Sequence, residues 1–360
     1  MSVPGWSAEV RRDDGALRGL AAEWRDLYAR SPAATPFQSH AWLESWWTQY
    51  GAPGRLRLVL VRSGGRLVAA APLVLGRRWG CPVLAPLAAP LSDFTDVLYD
   101  PSADPRALDH LARALLREPG WTALDFPEAR PGSAAHALLR RWPRQAWRMP
   151  ASVCLDLPAG DLDTFLDRLP GRSAGKMRAR LRKADARQVT AAAVPAERAV
   201  AAVGALLDLH VRQWQDRPIN PEHTRDRFRR HLAGALVPMI REGQAELFEY
   251  RHEGRLVASD LVVVGHGFVG AYLYGADPGL RRIADVSLLL LREILDSSAR
   301  RGMSRVSLLR GEEPYKMKWR PVPVPNERLV LARSSGAHVY AAAARSRAFL
   351  ASIRHNPDHP

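Results

Sequence analysis

Arg62-Ser-Gly-Gly-Arg-Leu-Val-Ala69 and Arg251-His-Glu-Gly-Arg-Leu-Val-Ala258 agree at six of eight positions, one copy in each half of a chain of 360 residues. Each copy sits between two runs of strand character: LRLVLVR and RLVAAAPLVL around the first, AELFEYR and RLVASDLVVV around the second. Alternating or buried β-type residues closed at a glycine predict a β-hairpin. Two such hairpins predict an internal repeat.

The pattern continues outward from both copies. After the first come TDVLY, Asp100-Pro101, a helix from about 107 to 116 and the strand WTALDF; after the second come FVGAYLYG, Asp277-Pro278, a helix from about 286 to 300 and SRVSLL. Hairpin, strand, helix and strand thus recur in one order, which predicts an α/β (α+β) protein of two tandem domains, each a mixed central sheet flanked by helices. The expected domains are 1–150 and 151–360, joined through the proline-flanked strand SVCLDL. Ahead of the first hairpin, Ser39 is an N-cap for AWLESWWTQYG and Gly51 its stop. Ahead of the second, helices at 199–215 and 225–242 flank the loop DRPINPEH. A last helix, 337–353, is expected to pack on the second domain, and the tail HNPDHP to fray.

Composition narrows the function classes. The N-terminal MSVPGWSAEVRRDD is polar and charged, and the longest apolar stretch, Leu67 to Leu75, is broken by Pro72, so no leader or membrane span is expected and the protein reads as cytoplasmic. Cys81 and Cys154 are too few for a disulfide framework. The histidines show no two-His helical metal pair and no GxSxG elbow occurs, so neither metal nor serine-hydrolase chemistry is expected. A formal charge of +15 and a pI near 10.7 suit a polyanionic partner or a phosphate-rich donor. Only four of the 52 basic residues are lysine, at 176, 183, 316 and 318. In a chain that supplies its positive charge as arginine, a surviving lysine points to a task that needs a compact head group.

Two phosphate-loop look-alikes fail. Gly265-His-Gly-Phe-Val-Gly270 has strands on both sides and reads as a hairpin turn, and Gly171-Arg-Ser-Ala-Gly-Lys176-Met177 is one residue short of a nucleotide-triphosphate loop, with methionine in place of the metal-binding hydroxyl. The strongest local segment is Leu309-Arg-Gly-Glu-Glu-Pro-Tyr-Lys-Met-Lys-Trp-Arg320, placed directly after a strand end, where functional side chains gather. A solvated charged loop anchored by Tyr315 and Trp319 is the alternative reading.

GEEPYKMKW, preceded by LLLLREILDSSARRG and a strand, resembles the C-terminal signature of GNAT-related acetyltransferases of the cellulose-biosynthesis (CelD-like) type. PFQSHAWLESWWTQYG, SDFTDVLYD, GRSAGKMRARLRKADAR and LDLHVRQW extend the resemblance from about Pro36 to Trp319. It implies two GNAT-like domains in tandem, kinship with Fem-type aminoacyl transferases, and acyl or aminoacyl transfer. The implied donor is acyl-CoA (acetyl-CoA), or else an aminoacyl-tRNA; the acceptor is an amine or hydroxyl of a small molecule or glycan. The chain departs from the family where Q/R-x-x-G-x-G/A is expected before the central helix, since Arg281-Arg-Ile-Ala-Asp-Val286 replaces bare backbone by bulk. Arg281 and Arg282, with Ala284 between them and the helix, remain able to meet phosphate. Lys176, Arg180, Lys183 and Arg187 form a basic face opposite Met177, Leu181 and Ala184, a stripe able to grip phosphate or simply a solvated face.

Amine acylation needs an orienting base, oxyanion donors and a proton for the leaving group. The candidates are Glu313 or Asp260 as base or amine-orienting carboxylate, Tyr315 as proton donor to the leaving group and Lys316 as electrostatic stabiliser. Asp96, Tyr274, Arg310, Trp319 and Trp214 are candidates for substrate contact, and Arg281, Arg282, Ala284, Lys176 and Arg180 for the donor. Asp96, Asp260, Tyr274, Glu313, Tyr315 and Lys316 are expected to line a common cleft near the junction of the two domains. A non-catalytic polyanion-binding or scaffold protein stays open as a third reading, and composition leaves the oligomeric state open.

Overall fold

The computed structural model describes residues 5–215 and 219–355; the first three residues of the loop DRPINPEH and the tail after His355 lie outside them. The chain divides into two compact units, Met1–Val153 with Pro325–Pro360, and Cys154–Val324. In chain order the first elements are β1 (Trp6–Arg11), α1 (Ala21–Ala29), α2 (His40–Tyr50), β2 (Leu56–Ser63), β3 (Arg66–Arg78), β4 (Cys81–Pro86) and β5 (Leu98–Tyr99). There follow α3 (Arg106–Arg117), β6 (Ala123–Ala129), α4 (Ala134–Arg140), β7 (Ala146–Pro158), α5 (Leu162–Asp167), α6 (Gly171–Ala186), β8 (Thr190–Ala193), α7 (Ala199–Gln213) and α8 (Asp226–Arg241). The chain ends with β9 (Ala245–His252), β10 (Arg255–Gly265), β11 (Phe268–Ala276), α9 (Val286–Arg300), β12 (Arg305–Arg310), α10 (Pro314–Met317), β13 (Val322–Ala332) and α11 (Ala337–His355).

Both repeats are antiparallel hairpins, β2 with β3 and β9 with β10, closed at Ser63↔Arg66 and His252↔Arg255. In the first unit the strand order is β1-β2-β3-β4-β6-β13, with β5 pairing β3; in the second it is β7-β12-β11-β10-β9-β8. The strand after each hairpin is antiparallel to it and then parallel to the next: β4 pairs β3 and β6, as β11 pairs β10 and β12. The first-half counterpart of FVGAYLYG is therefore Cys81–Pro86 and not TDVLY, which supplies only the two residues of β5. The prolines bounding β4 disguise it as a turn. Gly265 pairs Phe268 across a tight β10–β11 turn, the hairpin read from the sequence.

The core of the first unit follows strand alternation. Leu124, Phe126, Leu329 and Leu331 pack with Leu108, Leu111 and Leu115 of α3, while Ala123, Val330 and Ala332 face the other way against Ala337, Tyr340, Ala341 and Ala344 of α11. The last helix thus belongs to the first unit, a correction of its expected place on the second; its i, i+3, i+4, i+7 spacing gave the buried face without the partner. Ser39 caps α2 by accepting the Trp42 amide, and Trp42, Trp46 and Trp47 are buried. In the second unit α7 presses so closely on β11 that a Cβ at Gly275 would lie 2.4 Å from the His210 nitrogen and 2.6 Å from the Leu206 oxygen. Only glycine admits that approach.

Candidate active site

The parallel pair β11–β12 is joined at only three positions, Phe268↔Arg305, Val269↔Val306 and Gly270↔Ser307. Beyond Gly270, β11 runs on to Ala276 without β12, so the two strands part and leave an opening in the sheet. Side chains of α7 meet backbone groups of the parted strand: His210 Nδ1 donates to the Tyr274 carbonyl at 2.7 Å, and Gln213 Oε1 accepts the Ala276 amide at 2.9 Å. His223 lies 3.1 Å from the other nitrogen of His210. Burial, reinforced by His210, lowers His223 to about 4, and burial also lowers His210, so the pair is neutral at ordinary pH.

At the end of β12 the chain kinks. Leu309 has φ of 54°, a left-handed conformation that strains a branched residue, and Gly311 follows at 108°. The Lys316 ammonium ties this corner together, donating to the carbonyls of Leu308, Arg310 and Gly311 at 3.0, 3.1 and 3.3 Å and pairing with Glu313 at 2.8 Å. Three carbonyls converging on one point suit an ammonium and not a planar guanidinium. Lys316, expected as an electrostatic stabiliser, is thus a buried clasp of this corner and does not border the pocket that Tyr315 lines; its partner Glu313 is half-exposed.

The clasp sets Tyr315 into a pocket of about 460 Å³. Trp319, buried, meets the Tyr315 ring edge-on at 5.4 Å and is its packing support. Burial first, then the neighbouring Tyr274, Glu313 and Asp260, hold the Tyr315 phenol far above its usual range, so it stays a hydrogen-bond donor. Asp260 faces Tyr274 across the β10–β11 ladder. It is buried, its Oδ2 has no hydrogen-bond partner, and burial together with Glu293 raises its carboxyl to about 8.

Tyr274, Ala276, Arg281, Arg282, Ala284, Asp285, Ser287, Tyr315, Gln213, Arg180 and Lys183 border the pocket. Six of the sequence candidates therefore come together: Arg180, Tyr274, Arg281, Arg282, Ala284 and Tyr315. Four cations face one carboxylate. That carboxylate, Asp285, accepts from Arg180 at 2.8 Å and from Ser287 at 2.7 Å, so its charge is largely answered before a ligand arrives. A second pair, Arg292 to Asp185 at 2.7 Å, also ties α6 to α9. Met177, Leu181 and Ala184 are buried while Lys176, Arg180, Lys183 and Arg187 are exposed, as the spacing predicted.

Other candidates do not border this pocket. Lys176 lies one turn along α6 from Arg180, Arg310 contributes its carbonyl to the clasp, and Trp214 caps α7 beside His210. Asp96 belongs to the first unit, where it accepts the amides of Val97, Ala134 and Ala135. There its carboxylate caps α4. Gln213 and Ala276 were missed, because a glutamine bonded to backbone leaves no pattern in sequence. Among the described residues no cluster suited to a metal ion occurs, and no helix is long and apolar enough to cross a membrane.

Residues 172–317, all within the second unit, match the family model described as acetyltransferase (GNAT) domain. Over those residues the second unit is similar to a GNAT domain. The whole chain is similar in fold to FemX, with a TM-score of 0.61 at 12% identity over 86% of this chain and 95% of that one. It is similar also to L-PGS from Bacillus licheniformis, with 0.57 at 11% identity over 90% and 95%, and to a conserved protein of unknown function from Bacteroides thetaiotaomicron, with 0.56 at 13% over 91% and 100%. At such identities the likeness is one of fold. No curated protein matches the chain in sequence.

Proposed function

We propose that the second unit transfers an acyl group from acyl-CoA to an amine or hydroxyl of a small-molecule or glycan acceptor. The observation that carries this reading is a cation-lined pocket at the mouth of the parted β11–β12 pair, within the residues similar to a GNAT domain. Arg281, Arg282, Lys183 and Arg180 supply the charge-assisted contacts to donor phosphates that a glycine-rich loop supplies through backbone N–H groups elsewhere. The Ala284 side chain is buried and does not fill the pocket. The opening between the strands takes the acyl arm, and Tyr315 hydrogen-bonds to the departing thiolate. Asp260 stands opposite Tyr274 in the ladder, and with its carboxyl raised to about 8 it receives the amine proton only once ionised, so turnover rises as pH approaches 8.

One observation favours a second donor. The exposed cations of α6 continue from the pocket as a stripe through Lys183, Arg180 and Lys176, longer than a nucleotide diphosphate needs and suited to a nucleic-acid backbone. The likeness in fold to FemX agrees with an aminoacyl-tRNA-dependent transferase of Fem-like type. Purified protein incubated separately with acetyl-CoA and with charged tRNA, with an amine acceptor library present, distinguishes the two by mass spectrometry of donor and product. Consumption of acetyl-CoA supports the first reading, deacylation of tRNA the second, and consumption of neither leaves the non-catalytic polyanion-binding protein.

A further inference from the structure

The first unit holds a cavity of its own, about 840 Å³, with apolar walls that include Pro101, Pro131 and Met149. Ser133, His136 and Glu327 line it and are joined in a row. Ser133 Oγ lies 2.7 Å from His136 Nδ1, and His136 Nε2 lies 2.7 Å from Glu327 Oε2. Arg148 grips Glu327 at 3.0 and 2.8 Å, and that contact keeps the Glu327 carboxyl below its usual range. An ionised carboxylate only accepts, so Nε2 carries the hydrogen of the neutral ring. Nδ1 is then bare and accepts the Ser133 hydroxyl, the arrangement a general base requires.

A second observation separates this row from ordinary helix capping. Ser133 occupies the N-cap of α4, where a serine usually accepts an amide of the first turn, yet its side chain makes no capping bond. Asp96 does so in its place, accepting Ala134 and Ala135 at 3.0 and 2.6 Å. The hydroxyl is left to the imidazole.

We propose that Ser133, His136 and Glu327 form a second nucleophilic site, distinct from the transferase pocket, that takes activated esters or thioesters with small apolar acyl groups. Ser133 Oγ attacks the carbonyl carbon while its proton passes to His136 Nδ1; the bond to the leaving thiolate or phenolate breaks, and that group takes the proton. Water then attacks the acyl-serine with His136 as base, releasing a carboxylic acid and restoring the hydroxyl. Because Asp96 occupies the α4 amides, they give no help to the oxyanion. The leaving group must therefore be good in itself, with a pKa of about 8.5 to 10 as in thiols and phenols, and amides are not substrates.

The test is labelling of the full-length protein with a fluorophosphonate, followed by peptide mass mapping, beside p-nitrophenyl acetate hydrolysis. The wild type is expected to carry the adduct on Ser133 and to release p-nitrophenol. Ser133→Ala abolishes both, and His136→Asn slows both by about 10²-fold, the scale of a lost general base. Mapping in the wild type decides without any variant having to fold. An unlabelled Ser133, or labelling of His136→Asn at the wild-type rate, overturns the proposal.

Discussion

Lys316 shows what a single residue type discloses and what it hides. In an arginine-dominated chain the survival of lysine at this position was legible as a need for a compact cation. Its partners were not, because they are three main-chain carbonyls that a strained corner brings together and that leave no trace in side-chain sequence. Lys316→Ala should accordingly destabilise the protein by about 2–4 kcal/mol, since it removes charge-assisted bonds and strands buried acceptors. Denaturant unfolding checks this; an unchanged midpoint would show that the corner holds itself. Asp260 makes a prediction with a sign. Its carboxyl is raised to about 8 in the fold against about 3.9 in an unfolded chain, so between those values only the folded state keeps the proton. Its contribution is fully present below about pH 4 and is lost as pH rises toward 8. Asp260→Asn, which has no charge to bury, should therefore gain on the wild type as pH is raised from 5 to 8. Urea midpoints at those two pH values measure the difference, and parallel behaviour of the two proteins would mean that Asp260 is not desolvated as described.

At the scale of elements the sequence was informative wherever periodicity carries the signal. The two hairpins, the glycine turn at Gly265 and the buried face of α6 all follow from alternation or helical spacing. Strand pairing was harder to read. β4 is short and bounded by prolines, so the longer apolar look of TDVLY drew the repeat to the wrong strand, and the parting of β11 from β12 is a register event that no local pattern encodes. Gly275 is the one residue in β11 whose identity reports the tertiary contact directly. A Cβ there meets backbone atoms of α7, which cannot swing aside as a side chain would, so Gly275→Ala should destabilise by about 1–3 kcal/mol. The same change should weaken donor binding, because the residues on either side, Tyr274 and Ala276, border the pocket. Thermal unfolding and donor titration together check it, and a variant with unaltered melting would show that α7 does not press on β11.

For the molecule as a whole, the repeat disclosed two similar halves but not that the chain returns to the first unit at its end. The apolar face of α11 is a stripe of alanines around Tyr340, which fits many surfaces, and only tertiary structure selects the sheet face of β6 and β13. Net charge was a coarse guide in the same way. It suits a polyanionic partner without giving a place for one; the structure gathers Arg180, Lys183, Arg281 and Arg282 around one pocket of the second unit. That gathering is the basis for reading the unit as a transferase whose donor is held by its phosphates. The most direct measurement is equilibrium titration of the wild type and an Arg281→Ala/Arg282→Ala double variant with acetyl-CoA, and in parallel with aminoacyl-tRNA, at two salt concentrations. The account predicts that the wild type binds one of these donors with an affinity that falls as salt rises, and that the double variant binds it at least about tenfold more weakly; failure of the wild type to bind either donor, or equal binding by the double variant, would contradict it.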